Sequence, residues 1–277
     1  MNPLRRLSYY GGLTKLARVL HISAAFRKLY YRMVVPADQV LQVHVAGVEL
    51  KFYVRTPVEL RELERPTYNE EDFFAALLSV LRTGDVLFDI GSNLGKFAIP
   101  FAKVVGENGR VVAFEPEAQS FARLKENVQL NGLSNVLVFR KALGEQDGLG
   151  KLLVLGKTND GSSLLPVPGT SSAVSENVDL VQGDRLRVTE GLPVPRAVKV
   201  DVEGYEYFVL QGLKRTLSDR RCVLTCCEVH HQFFPPGITV DLIEALIRSC
   251  GFSSVEMRSR GGELHMIARK DAPAPGV

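Results

Sequence analysis

The chain is predicted to fold as an α/β three-layer sandwich: a mostly parallel sheet covered by helices on both faces and closed by an antiparallel hairpin strand. Three observations carry that prediction. From Gly84 onward, short apolar runs alternate with stretches whose apolar residues recur at helical spacing, the pattern of strand–helix–strand units. The first run, Val86–Ile90, ends in a glycine-bearing turn. The last two, 254–257 and 264–268, face each other across Gly261-Gly262 as a hairpin.

The elements are justified in order. Residues 4–35 suggest one or two short helices broken near Gly11-Gly12, with Leu13, Leu16, Ala17, Leu20 and Ala24 on one face, until Pro36 ends the pattern. Residues 40–45 and 48–54 alternate around Ala46-Gly47 as a hairpin, and 57–66, bounded by prolines, is read as a loop. Residues 69–81 form a helix with Glu70 and Glu71 in its first turn, where acids complement the dipole. After Val86–Ile90 come a helix (97–105), a strand (110–114) and a helix (119–130) that places Phe121, Leu124 and Val128 together and ends at Asn131-Gly132. Strand 136–139 precedes an interruption, 144–195, rich in Gly, Ser and Pro, with weak strand candidates such as 152–155. Strand 197–200, helix 205–217, strand 222–229 and helix 240–250 then resume the alternation. The expected division is a basic extension plus hairpin (1–70), the α/β domain (71–270) and a disordered tail (271–277).

Composition bounds the function. With 45% hydrophobic and 23% charged residues, wholesale disorder is excluded. No apolar stretch approaches the ~20 residues of a membrane span, and no signal peptide is evident, so a cytoplasmic location is expected. Cys222, Cys226, Cys227 and Cys250 lack metal-ribbon spacing and read as buried thiols in a reducing compartment. The net charge of +3 hides an asymmetry: residues 1–35 carry seven bases and no acid, and the remainder is net acidic. That head is expected either to cover the domain with its bases in solvent or to make a peripheral contact with anionic membrane.

The strongest chemical signal is Asp89-Ile-Gly-Ser-Asn-Leu-Gly95 after a strand, with Glu115 closing the next strand. Gly91 and Gly95 allow a tight turn and close ligand approach. Asp89 suits a cation such as an amino group, and Glu115 stands where an acid grips ribose hydroxyls. A pyrophosphate would be repelled by Asp89, whereas S-adenosylmethionine carries an amino acid end, so it is the expected cofactor. Two further clusters end neighbouring strands. In Lys199-Val-Asp-Val-Glu-Gly204, strand period two puts Lys199 and Asp201 on one face, and in Glu228-Val-His230 it pairs Glu228 with His230. An imidazole at that place could act as a base near neutral pH. The alternatives are a structural Lys199–Asp201 ion pair and an ordinary loop histidine.

These residues, with Ala113-Phe-Glu-Pro116, Lys125-Glu-Asn127, Asn131-Gly132 and Leu210-x-Gly212, resemble in order the FkbM-type S-adenosylmethionine-dependent methyltransferases, over about 84–252. The resemblance implies a class I methyltransferase, Rossmann-like fold with a seven-stranded sheet, acting on hydroxyls of sugars, glycolipids or secondary metabolites. It implies Asp89, Gly91, Asn93 and Gly95 at the methionine end, Glu115 at the ribose, and the turn at Lys141-Ala142 at the adenine. Glu70 completes the expected cofactor-binding set. Asp201 or His230 is the expected base, with Lys199, Glu203 and Glu228 orienting it or binding substrate. A divalent metal on Asp201, Glu228 and His230 is an alternative, not the favoured one. Pro100, early in the first domain helix, and the basic head depart from the family pattern. The rival classes are a nicotinamide-dependent reductase, which would need a third glycine, and a non-catalytic nucleoside-binding module, which would not need Lys199, Asp201 and His230 together. No base-stacking Pro-Pro-aromatic motif follows the fourth strand, so nucleic acid is not expected as acceptor.

Overall fold

A computed structural model describes residues 39–45, 47–64, 70–154, 162–165, 174–260 and 262–271. The expected head helices with their membrane contact, and the tail beyond Asp271, lie outside those residues. Strands β1 (Gln39–Val45) and β2 (Val48–Val54) pair antiparallel, as their alternation predicts, and bury Leu41, Val43, Leu50 and Phe52. The hairpin is tied to the domain by side chains, with Lys51 N donating to Asn131 Oδ1 at 2.9 Å and Tyr53 N to Asn127 Oδ1 at 2.8 Å.

Where a loop was expected, the chain forms α1 (Pro57–Glu64). Glu59 N donates to Thr56 Oγ1 and Thr56 N donates to Glu59 Oε2, both at 3.1 Å. This is a Thr-x-x-Glu capping box with proline at the first helical position, where its missing N–H costs nothing. Reading Pro57 as loop punctuation misses it. Thr56→Ala is expected to cost about 1 kcal/mol, seen as a melting temperature lower by roughly 2–4 °C. An unchanged melting temperature would show that the cap contributes nothing.

The next elements follow the expected alternation: α2 (Glu71–Val80), β3 (Val86–Ile90), α3 (Ala98–Val105), β4 (Arg110–Phe114), α4 (Ala118–Leu130) and β5 (Val136–Phe139). Pro100 is the third residue of α3, inside the opening turn that tolerates it. The interruption is not an unstructured loop. Strands β6 (Ala142–Gly144), β7 (Gly148–Val154), β8 (Ser162–Ser163) and β9 (Val174–Gln182) make a separate sheet ordered β6-β9-β7-β8, followed by α5 (Gly183–Thr189). Its core is small, built on Ala142, Leu152 and Val178. A strand with one solvated face and so little apolar residue to bury reads as a loop from sequence.

After β10 (Ala197–Val200), the single helix expected over 205–217 is two: α6 (Glu206–Gly212) and α7 (Lys214–Ser218). A Cβ on Gly212 would stand 1.8 Å from the Gly144 carbonyl oxygen, so α6 ends hard against the backbone of β6. The buried Asp184 carboxylate accepts from Arg215 N and Thr216 N, each at 2.7 Å, and starts α7 afresh. Then come β11 (Leu224–Val229), α8 (Val240–Ser249), β12 (Ser254–Arg260) and β13 (Glu263–Arg269).

The central sheet runs β12-β13-β11-β10-β3-β4-β5. The pairings from β11 to β5 are parallel, and β13 is antiparallel to both its neighbours. Two apolar clusters, one on each face, bury it. All four cysteines are free and buried. Burial pushes the Cys222 thiol up to about 12, so it is inert at neutral pH. Among the described residues no helix is long and apolar enough to cross a membrane. Strand order reverses between β3 and β10, which opens a crevice at their carboxyl ends.

Candidate active site

Two adjoining cavities occupy that crevice and share Gly91, Asn93, Asp201 and Glu203 as common walls. The first, of about 710 Å³, is lined by Phe114, Glu115, Pro116, Lys141, Ala142 and Tyr205, among others. The second, of about 930 Å³, gathers Glu70, Lys96, Phe97, Lys199, Glu228, His230 and Glu263.

The glycine turn after β3 is built for close approach. A Cβ on Gly91 (φ +76°) would stand 1.7 Å from the Asp201 carbonyl oxygen, so only glycine lets β3 and β10 close together here. Among the described residues, Asn93 (φ 46°) and Glu203 (φ 51°) are the non-glycine residues with positive φ, and both face the two cavities. Strained backbone of this kind concentrates at functional sites. The Asn93 side-chain oxygen is buried and has no hydrogen-bond partner. Asn127, buried in α4, donates to Leu94 O at 3.0 Å while accepting from Tyr53 N, so the hairpin and the glycine turn share one clamp.

Glu115 sits on the wall of the first cavity. Its Oε2 accepts from Asn93 N at 2.7 Å and its Oε1 from Glu117 N at 2.9 Å. Burial raises its pKa to about 7, against the opposing effect of those two N–H groups. Ala142 is on the same wall. Among the described residues, Asp89 and Gly95 line neither of these two cavities. Asp89 is fully buried, and the Lys199 ammonium lies 3.9 Å away. Gly95 packs against Ile99 and Leu124. Both support the turn from beneath. Glu70 lies in the second cavity, ion-paired with Lys96.

Lys199 is a buried staple. Its Nζ donates to Asp201 Oδ2 at 3.0 Å and to Gly91 O at 3.3 Å, and it lies over the Phe97 ring. Burial pulls its pKa down, but Asp201, Asp89 and Glu70 outweigh that and hold it above the usual lysine range. The Lys199–Asp201 ion pair, one of the two readings of this strand end, is thus present. Against the burial that would raise it, Lys199 and His230 keep the Asp201 carboxyl below its usual range.

His230 does not titrate near neutrality as expected. It is 2% exposed, its Nδ1 bonded to Glu206 Oε1 at 2.8 Å. Burial lowers its pKa, but Glu206 and the charges of Asp201 and Glu203 more than compensate and raise it to about 10. The cavity carboxylates are crowded, and burial with mutual repulsion lifts Glu203 and Glu228 each to about 7. Sequence reasoning missed Glu206, Lys96, Glu263 and His265. His265, buried on β13, bonds Asp72 through Nδ1 at 2.9 Å and Glu228 through Nε2 at 3.3 Å, and so aims Glu228. The available signal was a histidine inside the otherwise apolar Leu-His-Met-Ile-Ala run.

The sheet order, the glycine turn after β3 and the acidic residue ending β4 define a class I S-adenosylmethionine-dependent methyltransferase. Residues 89–254 match the methyltransferase FkbM domain, and the chain belongs to that family. It is 30% identical over 204 residues to the hexuronic acid methyltransferase AglP of Haloferax volcanii, covering 73% of this chain and 79% of that one. It is 27% identical to the 31-O-demethyl-FK506 methyltransferase FkbM of Streptomyces tacrolimicus, covering 69% and 82%. A shorter match, 29% identical, to a 23S rRNA (uracil(1939)-C(5))-methyltransferase of Psychrobacter arcticus covers 31% of this chain and 17% of that one. The expected exclusion of nucleic acid thus finds no support in the comparisons.

Proposed function

We propose that the protein methylates a hydroxyl oxygen of a sugar, glycolipid or secondary metabolite. The observation that carries this reading is the junction of the two cavities at Gly91, Asn93, Asp201 and Glu203. A methyl donor whose adenosine fills the first cavity would pass its methionine end through this junction and meet there an acceptor seated in the second. The names of the two longer relatives, one a hexuronic acid enzyme and one an FK506 enzyme, support a small oxygenated acceptor.

The residues present fit S-adenosylmethionine. Glu115 would accept the ribose hydroxyls, the backbone at Ala142 would meet the adenine, and Gly91 and the free Asn93 oxygen would border the methionine end. Glu70 with Lys96 stands where the amino and carboxylate groups would lie. Asp89, Gly95 and Lys199 hold the turn from below. S-adenosylmethionine supplies a sulfonium methyl: the C–S bond breaks with its electron pair left on sulfur, and an O–C bond forms to the acceptor. The hydroxyl proton must leave as that bond forms. Since His230 already holds a proton at neutral pH, Asp201 is the acceptor of that proton, with Glu203 and Glu228 placing the substrate.

S-adenosylhomocysteine should raise the melting temperature by mass action, and NADH should not. A shift with NADH alone sinks this reading in favour of a reductase. Methyl-labelled donor should then label a hydroxyl of an acceptor drawn from sugars and glycosylated metabolites. Cofactor affinity should also depend on pH. Glu115 is ionised only above about 7, and ribose hydroxyls bind the ionised form. S-adenosylhomocysteine should therefore bind about tenfold more weakly at pH 6 than at pH 8, and Glu115→Gln should flatten that dependence. Glu115→Ala should weaken binding by about 1–3 kcal/mol. Unchanged affinity in Glu115→Ala would refute the ribose assignment.

A further inference from the structure

We infer that Asp201, Glu203 and His230 form a divalent-cation site at the junction of the two cavities. The ligand atoms are Asp201 Oδ1, Glu203 Oε2 and His230 Nε2, the last giving up to solvent, as the ion binds, the proton it carries without it. The imidazole is almost wholly buried, yet among the described residues its Nε2 makes no hydrogen bond. It faces Asp201 Oδ1 at 3.9 Å, Glu203 Oε2 at 3.6 Å and Glu263 Oε1 at 4.0 Å. These separations are too long for direct bonding. They lie between the adjacent and opposite ligand spacings around a small divalent ion, about 3.0 and 4.2 Å for bonds of about 2.1 Å. The three groups offer atoms within 4.8 Å of one another, and two overlapping sets with Glu228, Glu263 and Glu70 extend the same centre.

The surroundings have the form of a metal centre beyond its ligands. A ligating histidine ordinarily donates its other ring N–H to a carboxylate, which fixes the tautomer. Here Nδ1 bonds the fully buried Glu206, whose Oε1 is itself held by Gly204 N at 2.9 Å. The second Asp201 oxygen is taken by Lys199, which leaves Oδ1 turned toward His230. Glu203 is presented from a left-handed backbone, a conformation an unbranched acid adopts only when the fold imposes it. The donor set of two carboxylates and one imidazole suits an ion such as Mn²⁺ or Mg²⁺.

The role of the ion rests on the O-methyl transfer proposed above. Asp201, ion-paired with Lys199, is a poor base for an unactivated alcohol. An ion at this junction would bind the acceptor hydroxyl and make it more acidic, so that with Asp201 engaged as a ligand the proton would pass to solvent. A single centre with three protein ligands keeps positions open for two neighbouring oxygens. The acceptor class is therefore a vicinal diol or a hydroxyl beside a carboxylate. Such a ligand would also offset the excess negative charge of the second cavity, which would otherwise repel an anionic acceptor.

The test uses the full chain, stripped with chelator and titrated with Mn²⁺, with free Mn²⁺ followed by its paramagnetic resonance signal. One equivalent should bind. Glu203→Gln and His230→Gln should each weaken binding at least tenfold, and Glu206→Gln by about 10–100-fold. The melting shift given by S-adenosylhomocysteine should persist in all three, which shows that they are folded. No Mn²⁺ binding at millimolar concentration, or equal binding by the variants, overturns the site. Loss of the S-adenosylhomocysteine shift in a folded Glu203→Gln variant also overturns it, because the cluster would then serve the cofactor's amino group. Methyl transfer that proceeds without Mn²⁺ binding refutes the ion alone. One equivalent of Mn²⁺ bound with no hydroxyl methylated supports the site and refutes the proposed function.

Discussion

Asp201→Asn is expected to bind S-adenosylhomocysteine normally while kcat falls by about 100-fold or more. The substitution keeps the volume and removes the charge. Its backbone should hold, because Asp201 N donates to Ile90 O at 3.0 Å and so belongs to the sheet. What is lost is the carboxylate standing between Lys199 at 3.0 Å and His230 at 3.9 Å, on the wall common to both cavities. An amide there neither accepts the acceptor's proton nor balances the two cations. The cofactor cavity, with Glu115 and Ala142, is otherwise untouched. His230→Ala is expected to show the same split, with cofactor affinity kept and turnover lost. If both variants run near full rate, the chemistry lies elsewhere in the crevice. If cofactor affinity collapses along with turnover, these side chains hold the donor rather than drive transfer.

Gly91→Ala is expected to damage stability more than any other single methyl tested in the crevice. The added Cβ would stand 1.7 Å from the Asp201 carbonyl oxygen and 2.9 Å from its carbon, both backbone atoms in the neighbouring strand end. Backbone cannot rotate aside as a side chain can. The residue also sits at φ +76°, where a side chain is strained whatever the space. Strain and overpacking together should cost roughly 2–5 kcal/mol, or about 5–15 °C in melting temperature for a domain of this size. S-adenosylhomocysteine affinity should fall with it, since the same glycine borders both cavities. A variant with wild-type stability would mean that β3 and β10 do not approach this closely.

The parallel sheet was legible because its strands are buried on both faces. Phe88 and Ile90 in β3, and Val198 and Val200 in β10, leave continuous apolar runs bounded by turns. The small sheet of the interruption was not legible, since β9 carries Ser175, Asn177 and Asp179 on a face turned to water. The helix at Pro57 was missed although its capping box stands in the sequence, because the prolines at 57 and 66 were weighed as breakers. Each of these follows from how much apolar surface an element buries.

By itself the sequence determined the alternation of strands and helices, the family, and which strand ends carry Asp201, Glu203, Glu228 and His230. Those are local properties: period, turn chemistry and residue order along one segment. Tertiary structure alone decided what each polar group does. Asp89 became a buried neighbour of Lys199 that lines neither cavity, and His230, expected alongside Asp201 as a candidate base, became a charged imidazole ringed by carboxylates. A pKa and a ligand geometry depend on groups brought together from distant strands, such as Glu206 and His230 or Asp72 and His265, 193 positions apart in the chain. Burial sets the strength of those interactions, and burial exists only once the sheet has closed.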